Sequence, residues 1–226
     1  IGAKVFELVG SECHSGFYHG AMEELLAEQG ADDLENKITK ICTSFNTDFG
    51  IFECFHGVGH GVLAYTSYDL PEALTICESL TSPFTKDACM GGVFMENIVT
   101  GQGNGAVEGH TTKWLSDDLH FPCNTLEESA QISQCYLMQT SWMLHKNNYN
   151  FEAIKDECLD APENFIASCY QSFGRDSAGF HLRDPQKTTS SCSLVPQKYF
   201  DTCINGAVQV IVDFWGQKVE GKAFEF

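Results

Sequence analysis

The chain has 226 residues, 43% of them hydrophobic, enough to bury a sizeable core. Its 13 Lys and Arg stand against 31 Asp and Glu, a net charge of −18. That balance argues against nucleic-acid backbones and anionic membranes and suits cations or a basic partner. No apolar run approaches the roughly 18 residues of a membrane span.

The first predicted element is a helix from near Ser11 through "AMEELLAEQ" to Gly30, a residue suited to a helix C-terminus. "LENKITKIC" reads as a short helix and "CFHGVGHG" as the start of a longer one. "PEALTICESL" is the next short helix, with Pro71 where a first turn accepts it, and "CMGGVFME" opens the next long one. Residues 100–122, "TGQGNGAVEGHTTKWLSDDLHFP", are glycine-rich, then aromatic and acidic; they read as a surface loop, or as a lid or ligand contact. Beyond them "CYLMQTSW", the short helix "FEAIKDECL", "CYQSFGRD" and "CINGAVQV" continue the alternation. After each second cysteine, apolar residues favour positions one, four, five and eight, which is helical and not strand periodicity.

Eleven cysteines are the strongest compositional signal and point to an oxidising compartment: secreted, periplasmic or cell-surface. CxxC and CxxCH are absent, which removes zinc-ribbon spacings and the usual haem c attachment. No bound nucleotide is expected. From Cys42 the cysteines fall into pairs separated by 12, 12, 12, 11 and 11 residues. Near-constant separation predicts the disulfides Cys42–Cys54, Cys77–Cys89, Cys123–Cys135, Cys158–Cys169 and Cys192–Cys203, with Cys13 left over. Each closes a short loop worth roughly 2–3 kcal/mol in the chain-entropy model. The underlying period is about 34 residues, broken by the insertion, and a fixed period of this size signals stacked supersecondary units.

Together these residues resemble a tetratricopeptide-type solenoid, and more closely the disulfide-stapled helical-repeat proteins secreted by some bacteria. The resemblance implies architecture alone: an all-α, right-handed α-solenoid of disulfide-linked antiparallel helix pairs. One helical-repeat domain is expected over 1–226, with the inserted loop at about 100–122.

Glycines recur three and seven residues after the cysteine, as Gly16/Gly20 and Gly57/Gly61, with Gly92/Glu96 in the third repeat. Each costs a helix about 1 kcal/mol relative to Ala. Close helix crossing offsets that, or a ligand approaches the backbone. The adjacent polar stripe holds His19, His56, His60 and Met95, with Glu96 beside it, and His14 and His110 near enough to add to it. Histidines four apart on a helix leave one face, a chelating arrangement. With Met95 the set suits copper; with Glu96 it suits zinc or iron. The alternative is that the histidines only hydrogen-bond a polar lining. Arg175 and Asp176 form a local ion pair, or Arg175 grips a carboxylate or phosphate ligand.

No Ser-His-Asp or Cys-His set can be assembled from sequence order alone, so no catalytic residue is named; catalysis by a metal-activated water stays open as the lesser alternative to metal binding without catalysis. The expectation is an extracytoplasmic helical-repeat protein that binds a transition metal, copper favoured, through its histidine-rich face. The competing one is a scaffold, with neither metal nor catalysis, whose polar face takes a protein partner or neighbouring subunit.

Overall fold

The computed structural model describes residues 16–30, 34–43, 45, 47–105 and 110–215, and among them all regular structure is helical. Cys13 and His14 lie outside the described residues. The chain divides into two compact units, Ile1–Leu115 and Ser116–Phe226, with the boundary inside the 100–122 insertion.

The first unit contains α1 (Gly16–Gln29), α2 (Leu34–Cys42), α3 (Asp48–Tyr65), α4 (Leu70–Glu78) and α5 (Pro83–Gly101). α1 ends at Gly30, whose φ of +68° is the left-handed conformation that glycine adopts without penalty. α3 packs against both α1 and α5, and so it is buried continuously from Glu53 to Leu63. The second unit contains α6 (Ser129–Lys146), α7 (Phe151–Ile154), α8 (Ile166–Phe180), α9 (Pro185–Cys192) and α10 (Phe200–Trp215). Here α8 packs against both α6 and α10, around a core that includes Tyr136, Tyr170 and Phe173.

All five cysteine pairs stand at disulfide distance, with Cα–Cα separations of 5.4–5.6 Å. The links between short and long helices are tighter than the cysteine separation suggests. α2 ends at Cys42 and α3 already begins at Asp48; α4 ends at Glu78 and α5 begins at Pro83. The long helices α3, α5, α6 and α8 start ahead of their cysteines, and at α3 a side-chain cap marks the start. Thr47 Oγ1 accepts from the Gly50 N–H at 3.0 Å. The "FEAIKDECL" segment is not one helix: α7 stops at Ile154 and a 3₁₀ turn spans Glu157–Asp160. The Lys155 carbonyl, which a continuous helix would use, instead accepts from the buried Tyr170 hydroxyl at 3.1 Å.

One turn recurs where a long helix hands over to the next short one. Ser67–Tyr68, Asn148–Tyr149 and Leu182–Arg183 are consecutive residues with positive φ, between 52° and 64°. The second of each pair donates its N–H back into the helix: Tyr68 to the Leu63 carbonyl (2.9 Å), Tyr149 to Leu144 (2.7 Å) and Arg183 to Ala178 (2.7 Å). The next residue is Asp69, Asn150 or Asp184, and each caps the following helix through its side chain. After α5 the pattern fails at Gly103, φ +80°, and the insertion begins.

The helix crossings explain specific glycines. A Cβ on Gly92 would overlap the His56 carbonyl oxygen, and one on Gly59 would overlap that of Cys89. In the second unit Gly174 lies against the Cys203 carbonyl and Gly206 against that of Gln171. Close crossing is thus the reason for Gly92. Gly20 differs: a Cβ there meets nothing within 4 Å.

Candidate functional site

The polar cluster of the first unit is built where α3 crosses α5. His56 and His60, one turn apart, are 5% and 4% exposed. Their ring centroids lie 5.2 Å apart, edge to face, and Phe52 stacks on His56 at 5.8 Å. Glu96 on α5 is 2% exposed. His60 Nδ1 and Glu96 Oε2 are 2.9 Å apart, so Nδ1–H donates to the carboxylate. Glu96 Oε1 accepts from Thr100 Oγ1 at 3.1 Å and, more weakly, from the Tyr68 hydroxyl at 3.4 Å. The carboxylate therefore meets three donors and holds His60 in one orientation.

The recurrent turn supplies Tyr68 to this cluster. Its carbonyl accepts from Trp114 Nε1 at 3.1 Å, and the His110 ring packs edge-on against it at 4.9 Å. Both partners come from the insertion. Asn97 reinforces the same segment, accepting from Thr112 Oγ1 (2.5 Å) and donating to the Trp114 carbonyl (3.2 Å). Residues 110–114 are a bonded strap over the end of α5, and His110 joins the cluster through Tyr68.

Of the residues singled out from sequence, the structure brings His56, His60 and Glu96 together. Met95 is half-buried one position earlier on α5. The side chain of His19 lies outside the described residues. Tyr68 and Thr100, the other donors to Glu96, were not foreseen; the repeated turn, visible as Asp69, Asn150 and Asp184, is the sequence signal that locates Tyr68.

In the second unit the crossing of α6 and α8 carries a different cluster. Arg175 and Asp176 pair directly, with Nε and Nη2 at 2.9 and 2.7 Å from Asp176 Oδ1. Arg175 also donates to the Leu137 carbonyl (2.7 Å) and to Ser141 Oγ (2.7 Å) on α6. Asp176 accepts from Thr140 Oγ1 at 2.7 Å and from Ser141 Oγ at 2.9 Å. Thr140 and Ser172 share a 2.5 Å hydrogen bond across the crossing. The guanidinium is thus spent on groups of its own unit.

The second half of the insertion belongs to this unit. Gln139 Nε2 donates to the Leu119 and Phe121 carbonyls (2.7 and 3.0 Å), and Trp142 Nε1 to the Ser116 carbonyl (2.9 Å). Asp118 Oδ1 accepts from the His120 N–H at 2.9 Å, and Oδ2 from Asn124 Nδ2 at 2.9 Å. The backbone bond from His120, then the Asn124 bond, lowers the Asp118 pKa. Burial, assisted by the Asp118 charge, pushes the Tyr136 hydroxyl up to about 12, so it keeps its proton at neutral pH.

No protein-family model, no curated protein and no solved structure matches this chain. Among the described residues no helix is long and apolar enough to cross a membrane.

Proposed function

We propose that the chain is an extracytoplasmic, disulfide-stapled helical-repeat protein that binds a divalent transition metal through His56 and His60. In this reading its hairpins stack as a right-handed α-solenoid with a period of about 34 residues. The observation that carries it is the 5.2 Å separation of the two imidazole rings, with one ring held by a carboxylate. Two imidazoles sharing a tetrahedral ion through bonds of about 2.0–2.1 Å have ring centres about 5 Å apart. A carboxylate accepting the other N–H of a ligating histidine is the usual support of such a site: it fixes the tautomer and makes the coordinating nitrogen more basic. Nε2 is then the His60 atom that binds. Glu96 is an orienting group in this arrangement rather than a ligand. Two imidazoles, one of them supported by a carboxylate, favour zinc or copper(II). The net charge of −18 raises the local cation concentration. The five disulfides suit an oxidising compartment.

Elemental analysis of the purified, disulfide-intact chain tests this directly. Near-stoichiometric zinc or copper is expected, reduced by His60→Ala and by His56→Ala. Glu96→Gln is expected to weaken affinity about 10- to 100-fold, as removal of such a support does elsewhere. Metal content unchanged by His56→Ala and His60→Ala would overturn the site.

A second reading, a metal-free scaffold with a protein partner, draws on one observation. The second unit fills the corresponding crossing with Ser141, Arg175 and Asp176, which satisfy one another without any ion. Absence of metal in the same measurement would favour it.

A further inference from the structure

Near its end the insertion carries His120, which the His56–His60 reading does not use. We propose that His120, Glu157 and Asp160 form a second divalent-metal site, contained entirely within the second unit and favouring zinc.

The geometry starts from the 3₁₀ turn Glu157–Asp160. Residues three apart on a 3₁₀ helix eclipse one another, so Glu157 and Asp160 project on the same side. Two carboxylates on one side repel unless a cation sits between them. His120 faces them: one ligand atom from each of His120, Glu157 and Asp160 lies within 4.8 Å of the other two. Tetrahedral zinc with bonds of about 2.0–2.2 Å needs its donors about 3.5 Å apart, so small side-chain rotations close the triad on an ion.

A second, independent observation is the state of the imidazole. His120 Nδ1 lies 3.1 Å from the Tyr136 hydroxyl, while His120 Nε2 is buried with no hydrogen-bond partner. Buried ring nitrogens are ordinarily paired. When Nδ1 carries the proton, the Tyr136 oxygen accepts it and Nε2 presents its lone pair, the tautomer a metal needs. The support is rigid on both sides. Asp118 holds the His120 backbone N–H at 2.9 Å, and the Cys123–Cys135 disulfide fixes the segment that follows. The Cys158–Cys169 disulfide pins the carboxylate turn to α8.

The donor set identifies the ion. One imidazole and two carboxylates suit zinc, and less well manganese or iron(II). They offer too few oxygens for calcium, and no sulfur for copper(I). Glu157 is half-buried and Asp160 exposed, which leaves the fourth position open to water on the Asp160 side.

The test is zinc titration of the full, disulfide-intact chain after chelator treatment, followed by calorimetry, with cobalt(II) as a visible-spectrum probe. His120→Ala should remove one zinc equivalent that His60→Ala leaves in place. If the His56–His60 reading fails and this one holds, the unsubstituted chain binds one zinc, and His120→Ala abolishes it. Asp160→Asn changes only an exposed side chain and should weaken that equivalent at least about tenfold, and Tyr136→Phe about 10- to 100-fold. Far-UV circular dichroism checks that each variant is folded. Zinc stoichiometry and affinity unchanged by both His120→Ala and Asp160→Asn, or no zinc bound by the unsubstituted chain, would overturn the proposal.

Discussion

In the first unit α3 and α5 cross with Gly59 and Gly92 at the contact; in the second, α8 and α10 cross with Gly174 and Gly206 in the same relation. In each case a Cβ on the glycine of one helix would strike a backbone carbonyl of the other. The α6–α8 crossing keeps the register but replaces the glycines with Thr140 and Ser172, which hydrogen-bond to each other. What lies beside the crossing also differs. The first unit sets His60 against Glu96; the second sets Ser141 against Asp176 and adds Arg175. The backbone geometry is therefore a reusable frame, and the neighbouring polar pair is where the units diverge. One pair orients an imidazole, and the other closes on itself.

The largest expected effect tests the frame. Gly92→Ala and Gly206→Ala each drive a methyl into a carbonyl that cannot move without shifting a whole helix. Overpacking of this kind costs about 1–3 kcal/mol or more, and backbone-on-backbone overlap belongs at the upper end. Each variant should lose at least about 10 °C in thermal melting, at roughly 4–8 °C per kcal/mol for a unit near 100 residues. Gly20→Ala is the matched control. It meets nothing and should gain up to about 1 kcal/mol from helix propensity. If Gly92→Ala behaves like Gly20→Ala, α3 and α5 do not cross as closely as described, and if only one of Gly92→Ala and Gly206→Ala destabilises, the two crossings do not share the geometry.

A smaller effect separates the polar pairs. Asp176→Asn removes the charge that balances a guanidinium only 19% exposed. The Asn amide also points a donor where only acceptors fit. The expected loss is about 2–3 kcal/mol, somewhat under the value for breaking a fully buried pair. Glu96→Gln keeps an acceptor for the imidazole N–H and should cost about 1 kcal/mol in metal-free protein. Chemical denaturation of both variants checks the ordering. Equal losses would mean that His60–Glu96 clamps the helices in the way Arg175–Asp176 does.

How far this was readable in the sequence depends on whether one helix or two carried the signal. Cysteine spacing is a single-chain count, and all five pairs it predicts stand at disulfide distance. Glycine roles were read along one helix, as Gly57/Gly61 or Gly92/Glu96. The contacts instead join Gly92 to the residues of α3 at His56 and Gly59, an offset set by how two helices cross. The same offset sets Glu96 against His60. Adjacent positions on α5 differ by about 100° around the helix, and only the crossing shows which one meets His60. Tyr68 was legible only after three turns were compared, because positive φ at Ser67 or Leu182 has no marker in the residue itself. His120 was invisible for a further reason. Its partners lie in a segment whose helical pattern is interrupted by the Tyr170 hydroxyl taking the Lys155 carbonyl.

The smallest expected effect concerns that repeated turn. Its first left-handed position is Ser67 in the first unit and Asn148 and Leu182 in the second. A residue with a Cβ pays about 1–2 kcal/mol for this conformation, and Asn pays least because its short amide bonds locally. Asn148 already occupies its favoured place, whereas Leu182 does not, and Leu182 is 77% exposed, so little burial compensates. Leu182→Asn should therefore stabilise the second unit by about 0.5–1 kcal/mol, and Asn148→Leu should destabilise it by a similar amount. Paired denaturation curves measure both. A destabilising Leu182→Asn would mean that the leucine gains more from contact than its backbone loses. An apolar group stands two residues earlier in the chain, where Phe180 is 52% exposed and stacks on Tyr149 with ring centroids 5.8 Å apart.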